Sequence, residues 1–141
     1  MITSEARLKV RYAETDQMRV AHHSNYIVWF ELARVGLFKK LGIDIADLED
    51  RGYFIPVLEV SARYLRPARF GEEITIQATI AGRSRAKLTF GYIVKNETGD
   101  ILCEGKSVHG FMNAQYKAVK PPEIYKHKVA RTEESQKHAG Q

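Results

Sequence analysis

The chain has 141 residues, of which 44% are apolar and 28% charged, with a formal charge of +5. That length accommodates one compact domain with a real core and is too short for two ordinary ones. Its longest run free of Asp, Glu, Lys and Arg is the eleven residues Val20 to Phe30, well below the roughly 20 needed for a membrane-spanning helix.

The opening stretch MITSEARLKV lacks the apolar centre of a secretory leader, and a lone Cys103 cannot form an intrachain disulfide, so a reducing cytoplasm is the expected location. Residues 5–12, EARLKVRY, alternate as a half-buried strand does, with Leu8, Val10 and Tyr12 predicted on one face. A polar loop, Ala13 to about His22, follows. From Ser24 the stretch SNYIVWFELARVGLFKKLG has helical length and no proline; Ser24 or Asn25 is a candidate cap and Gly42 a stop. Its apolar residues surround the axis instead of forming one stripe, which predicts a helix wrapped by other structure. Glu31 and Arg34, three apart, read as an ordinary helical ion pair.

The acidic segment IDIADLEDRG suggests a second helical turn or two. Four β runs come next: YFIPVLEVSARYL, EEITIQATIAG, AKLTFGYIVKN and DILCEGKSVHGFM. Ile74, Ile76, Ala78 and Ile80 share one face of the second run, and Leu88, Phe90, Tyr92 and Val94 repeat the alternation in the third. Reversals are expected at GRSR (82–85) and NETGD (96–100). Near KPPE, residues 120–123, the pattern ends. The expected division is a domain over 1–120 and a basic tail over 121–141, partly helical or disordered. Residues 1–116 hold 16 basic and 14 acidic residues, whereas 117–141 hold 6 and 3. With Tyr125 its one aromatic residue, the tail reads as a solvated end, and nucleic acid is not the expected partner. A strand, a long helix and then further strands predict an α+β layer in which one apolar helix lies against an antiparallel sheet.

Asp16 stands eight residues before Ser24. If the loop folds back, its carboxylate meets the unpaired N–H groups and partial positive charge of the helix N-terminus. The same N–H groups can polarise a carbonyl oxygen that gains negative charge under attack, which is the equipment for acyl transfer to water. On spacing alone the simpler reading of Asp16 is a loop or cap residue. His22 and His23 are poorly spaced for a metal, so none is expected, and a Ser24, His23, Asp16 triad lacks the strand-elbow glycine motif.

Taken together, YAETDQMRVAHHSNYIVWFELAR resembles the 4-hydroxybenzoyl-CoA thioesterase branch of the hotdog-fold acyl-CoA thioesterases, whose signature is aromatic-x-[DE]-x-D-x-x-G-x-V followed by a helix-opening Tyr. The resemblance runs over about residues 5–115 and includes YLRPARFGEEITI, a looser match to that family's P-x-x-[FY]-[GD]-[DE] turn. It implies a hotdog fold, a curved antiparallel sheet wrapped around a long central helix. It also implies hydrolysis of an acyl-CoA without a cofactor, with Asp16 as catalytic carboxylate and His23 supplying the backbone N–H for the thioester carbonyl. Tyr26 becomes the helix-opening aromatic at the substrate, Leu58 a residue of the acyl pocket with Trp29, Phe30, Tyr53 and Phe54, and Arg83, Ser84 and Arg85 contacts for the CoA phosphates, with Lys87 beside them. A homodimer or homotetramer with the pocket between subunits is implied. The family's usual Gly is Arg19 here, which bears on loop shape and pocket access; a non-catalytic acyl-CoA or acyl-carrier binding module is the alternative.

Overall fold

The computed structural model describes residues 2–139. Strand β1 (Thr3–Lys9) precedes the long helix α1 (Ser24–Lys40) and the short helix α2 (Ile45–Asp50). Then come β2 (Tyr53–Phe54), β3 (Val57–Tyr64), β4 (Glu73–Arg83), β5 (Leu88–Asn96), β6 (Ile101–His109), β7 (Met112–Asn113) and helix α3 (Glu123–Ala139). Five strands pair antiparallel in the order β1-β4-β5-β6-β3, and β2 pairs with β7 in a separate two-stranded ribbon.

The alternation along β4 and β5 buries Ile74, Ile76 and Ala78 together with Leu88, Phe90, Tyr92 and Val94. Against them α1 packs Phe30, Ala33, Leu37 and Phe38, all buried. Phe30 stacks on Tyr92 at 4.4 Å between ring centres, and Phe38 meets Phe90 edge-on at 5.6 Å. This is the α+β arrangement of a helix on an antiparallel sheet that the apolar pattern predicts. The sheet covers only part of the helix: Val28 is 53% exposed, Leu32 52% and Val35 48%. Strand β3, at the sheet edge, likewise exposes Val57, Leu58, Val60 and Tyr64.

Several local expectations are corrected. The first strand ends at Lys9, because the Val10 N–H turns to the Glu72 carbonyl and Tyr12 opens a 3-10 turn; Tyr12 is exposed, leaving Leu8 and Val10 on the inner face. Pro56 splits YFIPVLEVSARYL into β2 and β3, since proline has no N–H for a ladder. The hairpin after β4 turns at Ser84–Lys87, two residues later than expected. Helix α1 begins at Ser24, with His23 in the cap position and no side-chain cap, and Gly42 follows its end at φ +79°. Arg34 forms no ion pair with Glu31 among the described residues; its Nη1 donates to Tyr92 Oη at 3.1 Å. The basic tail is helix α3, and Tyr125 and Val129, four apart on one face, are buried beside the domain core. Its lysines masked that periodicity.

A buried polar chain continues from Arg34 through Tyr92 Oη to Ser107 Oγ at 2.6 Å, and from Ser107 to His109 Nε2 at 2.7 Å. Burial first, and then the Arg34 charge, push the His109 imidazole down to about 4 from its ordinary 6.5, partly opposed by backbone at Ile55 and Pro56.

Two predictions follow from this packing. A Cβ on Gly105 would overlap the Phe30 ring and crowd the Ser61 carbonyl, so Gly105→Ala should cost about 2 kcal/mol or more in denaturant unfolding. Because an unfolded His109 binds a proton that the folded one refuses, stability is full above the ordinary value and falls as pH drops from 6.5 towards about 4. The loss is at most about 3 kcal/mol; unfolding midpoints across that range should fall less steeply in His109→Gln.

Candidate active site

The loop between β1 and α1 is fixed by Glu14, a side chain whose importance the sequence did not reveal. Glu14 is buried, and its Oε2 accepts from the Trp29 indole N–H at 2.7 Å. Its Oε1 accepts from the Arg11 backbone N–H at 2.8 Å and from Arg11 Nε at 3.3 Å. Burial alone raises this carboxyl's pKa, but the bonds from the Arg11 amide, Trp29 and the Arg11 guanidinium prevail and leave it lowered. The Glu14 carbonyl accepts from the His22 N–H and from Asn25 Nδ2, each at 2.8 Å. One residue thus ties the loop to the second turn of α1 through its side chain and to the helix entrance through its backbone.

Asp16 follows two residues later, so its Cα lies within about 7.6 Å of that of Glu14. Residues 15–21 form a tight reversal closed by a Thr15–Ala21 bridge and by the Asp16 N–H donating to the Val20 carbonyl at 3.0 Å. Asp16 Oδ1 accepts from the Met18 N–H at 2.8 Å. Oδ2 has no protein donor among the described residues. The turn-residue reading therefore accounts for one oxygen and leaves the other available. Arg19 has φ +64°, the left-handed conformation that a glycine there would adopt freely and that costs a non-glycine residue about 1 kcal/mol. The chain keeps the glycine-type bend with an arginine in it.

At the helix entrance the Ser24 N–H donates to His22 Nδ1 at 3.3 Å, the Asn25 N–H to the His22 carbonyl at 3.0 Å and the Tyr26 N–H to the His23 carbonyl at 3.3 Å. Ser24 Oγ pairs with His22 Nδ1 at 2.8 Å, and Asn25 reaches back to the Glu14 and His22 carbonyls, so neither caps α1. The His23 N–H donates to no protein acceptor among the described residues. Its carbonyl accepts from Tyr64 Oη at 3.0 Å, which fastens the start of α1 to the end of β3. The result is a helix N-terminus at which the His23 N–H is left open, in the partial positive charge that favours an anionic oxygen.

The other candidates are placed as follows. Tyr26 is in the core, 4.6 Å from the Trp29 ring and 5.1 Å from that of Tyr64; burial above all raises its hydroxyl to about 12. Trp29 and Phe30 are also interior, whereas Tyr53 and Phe54 are half-buried. Leu58 is the extra residue of a bulge, because Val57 pairs with His109 and Glu59 with Val108. Such a bulge re-aims an edge side chain. His22 and His23 lie ring against ring at 4.1 Å, and no group of three potential metal ligands occurs among the described residues. Ser24 pairs with His22, so the Ser24, His23, Asp16 arrangement is not assembled.

Arg83, Ser84 and Arg85 are at the opposite end of the molecule. Lys9 pairs with Glu73 and Thr3 with Thr79, so β4 runs towards the C-terminal end of α1, where Lys40 Nζ donates to the Thr3 carbonyl. The length of α1, about 25 Å, separates the hairpin from His23. Within one chain the basic hairpin and Asp16 do not meet.

Comparison with known proteins agrees with this geometry. Residues 10–131 match the family profile described as the thioesterase-like superfamily. The putative acyl-CoA thioesterase YneP of Bacillus subtilis is 36% identical over 109 residues, covering 77% of this chain and 79% of that protein. Among solved structures, a hypothetical protein from Thermus thermophilus superposes with a TM-score of 0.86 at 40% identity, covering 90% of this chain and 97% of the other. The DHNA-CoA thioesterase of Staphylococcus aureus gives a TM-score of 0.89 at 28% identity, covering 100% and 97%. With that match spanning most of its length, and with the helix-on-sheet layer in place, the chain belongs to the thioesterase-like superfamily and is a thioesterase of the hotdog fold.

Proposed function

We propose that this protein hydrolyses an acyl-CoA thioester to the free acid and CoA, with Asp16 as the reacting carboxylate and the open His23 amide at the α1 N-terminus as the oxyanion site. One observation carries this reading: the His23 N–H is uncapped beside a loop that Glu14 pins in place and that leaves Asp16 Oδ2 without a protein donor. The B. subtilis relative is named as an acyl-CoA thioesterase, which supports the same substrate class.

In the reaction the thioester carbonyl oxygen accepts from the His23 N–H, where the partial charge of the helix stabilises it as it becomes anionic. Asp16 Oδ2 then acts by one of two routes. As a nucleophile it bonds to the carbonyl carbon, the C–S bond breaks, and water cleaves the resulting anhydride. As a base it takes a proton from water, whose oxygen bonds to that carbon. In the net reaction water provides a hydroxyl and a proton, the proton going to the departing thiolate. In heavy-oxygen water the base route labels only the acid, whereas label in the Asp16 carboxylate identifies an anhydride that water opens at the Asp16 carbon, an Asp16 oxygen then leaving in the acid.

The site is completed by a second copy of the chain. The exposed Val28, Leu32 and Val35 of α1 and the open edge of β3 form one apolar surface, which a monomer would leave in water. Tyr64 marks the end of β3 next to His23, and Val57 the far end. Antiparallel pairing of β3 across a two-fold axis sets the partner's Leu58 beside this chain's His23 and Asp16. Leu58 then serves the acyl pocket in trans, and Tyr26 supports it from the core.

Asp16→Asn keeps the turn acceptor and removes the charge, so kcat should fall about a hundredfold or more with the fold intact; an unchanged rate would remove Asp16 from the chemistry. Leu32→Glu, placed on the exposed face, should shift the protein towards monomer in sedimentation and lower thioesterase activity in parallel. Full activity in a monomeric variant would refute a site shared between copies.

A further inference from the structure

At the start of α1 the amides of Ser24, Asn25 and Tyr26 are taken by His22 Nδ1, the His22 carbonyl and the His23 carbonyl, which leaves the His23 N–H as the one open donor there. One donor is thin support for a developing oxyanion, because each donor at such a site is commonly worth about a hundredfold or more in rate. Beside that amide stands the His22 imidazole, a ring with no part in the steps proposed above.

The ring is held on two sides. Its Nδ1 accepts from the Ser24 backbone N–H at 3.3 Å and pairs with Ser24 Oγ at 2.8 Å. A backbone N–H can only donate, so Nδ1 is an acceptor and the neutral ring carries its proton on Nε2. Its face lies against the His23 ring, 4.1 Å between centres and 32° between planes, and His23 in turn meets Tyr64 edge-on at 6.2 Å. The side chain is exposed, and its Nε2 has no protein partner among the described residues.

The same ring is near both reacting groups. Ser24 N, 3.3 Å from Nδ1, is the next backbone nitrogen after that of His23. On the loop side, the Thr15–Ala21 bridge sets Asp16 opposite Val20: the Asp16 N–H donates to the Val20 carbonyl and the His22 N–H to the Glu14 carbonyl. Asp16 and His22 are then diagonal neighbours on one face of this short ladder, roughly 7–8 Å apart. Ala21, on the other face, is buried.

We infer that His22 is a second oxyanion donor in the acyl-CoA hydrolysis proposed above, on which this inference rests: its Nε2–H, set in that tautomer by Ser24, bonds the thioester oxygen together with the His23 N–H. The imidazole keeps its proton throughout. A neutral imidazole suits this task, since it polarises a carbonyl by donating a hydrogen bond without itself being ionised.

Hydrolysis of acetyl-CoA, benzoyl-CoA and decanoyl-CoA by the full-length protein, followed by free-thiol release, tests this on the fastest of the three. His22→Phe keeps a ring against His23 and has no donor; kcat should fall about tenfold or more with KM little changed. His22→Gln, which can accept from the Ser24 N–H and still present an N–H, should recover part of that loss, whereas His22→Glu, which can only accept, should not. Thermal melts of these two variants separate loss of the cap from loss of the donor. Nitrogen-15 NMR of the free protein, at a pH where imidazoles are neutral, should show the His22 proton on Nε2, with the signal assigned by its absence from His22→Phe. An unchanged kcat in His22→Phe, equal rates for His22→Gln and His22→Glu, or a proton on Nδ1 overturns the inference. If Asp16→Asn abolishes turnover while His22→Phe does not, the hydrolysis reading stands and the second donor alone falls. Turnover of none of the three thioesters, or a full rate in Asp16→Asn, removes that reading and this inference with it.

Discussion

The hydrogen bond from the Trp29 indole to the Glu14 carboxylate, 2.7 Å long and out of contact with water, is the joint on which the rest of the amino-terminal half is hung. A buried carboxylate is tolerable only when its lone pairs are occupied, and here Trp29, the Arg11 amide and the Arg11 guanidinium occupy them. With the side chain so held, the Glu14 backbone carbonyl is in position to receive the His22 and Asn25 donors. The helix entrance is organised by a residue that itself has no free oxygen for chemistry. Asp16, two positions along, inherits that placement and keeps one oxygen unspent.

Joint and helix share a second constraint, the all-round apolarity of α1. A helix with one apolar stripe would be satisfied by the sheet alone. Here the sheet covers Phe30, Ala33, Leu37 and Phe38, while Val28, Leu32 and Val35 on other faces remain in solvent. Strand β3 also exposes apolar side chains, and its outer edge carries unpaired backbone groups. One element therefore carries both features: its N-terminus leaves the His23 amide open, and its far side leaves apolar side chains in solvent.

Much of this was legible in the sequence. The alternation in β4 and β5, the bounds of α1 and the stop at Gly42 follow from local periodicity and turn chemistry, which do not need tertiary information. The family resemblance pointed to Asp16 and to the open amide of His23. What stayed hidden depends on contacts distant in sequence. Glu14 looked like any loop acid until Trp29, fifteen residues on, reached it. Arg34 looked like the partner of Glu31 until the Tyr92 hydroxyl, 58 positions away, took its guanidinium. The packing of α3 was concealed because its lysines outnumber the two residues, Tyr125 and Val129, that decide its buried face. That the basic hairpin and Asp16 stand at opposite ends of α1 is a property of strand register, which composition does not encode.

Cys103 lies on β6, wholly enclosed, and enclosure above all lifts its thiol to about 11, so almost none of it is thiolate at neutral pH. The native protein is accordingly inert towards maleimides and iodoacetamides while it stays folded. A single cysteine introduced anywhere on the surface would take a fluorophore or spin label selectively, with no need to remove the original one. Distances between labels on two copies could then be read in solution from the chain nearly as nature made it.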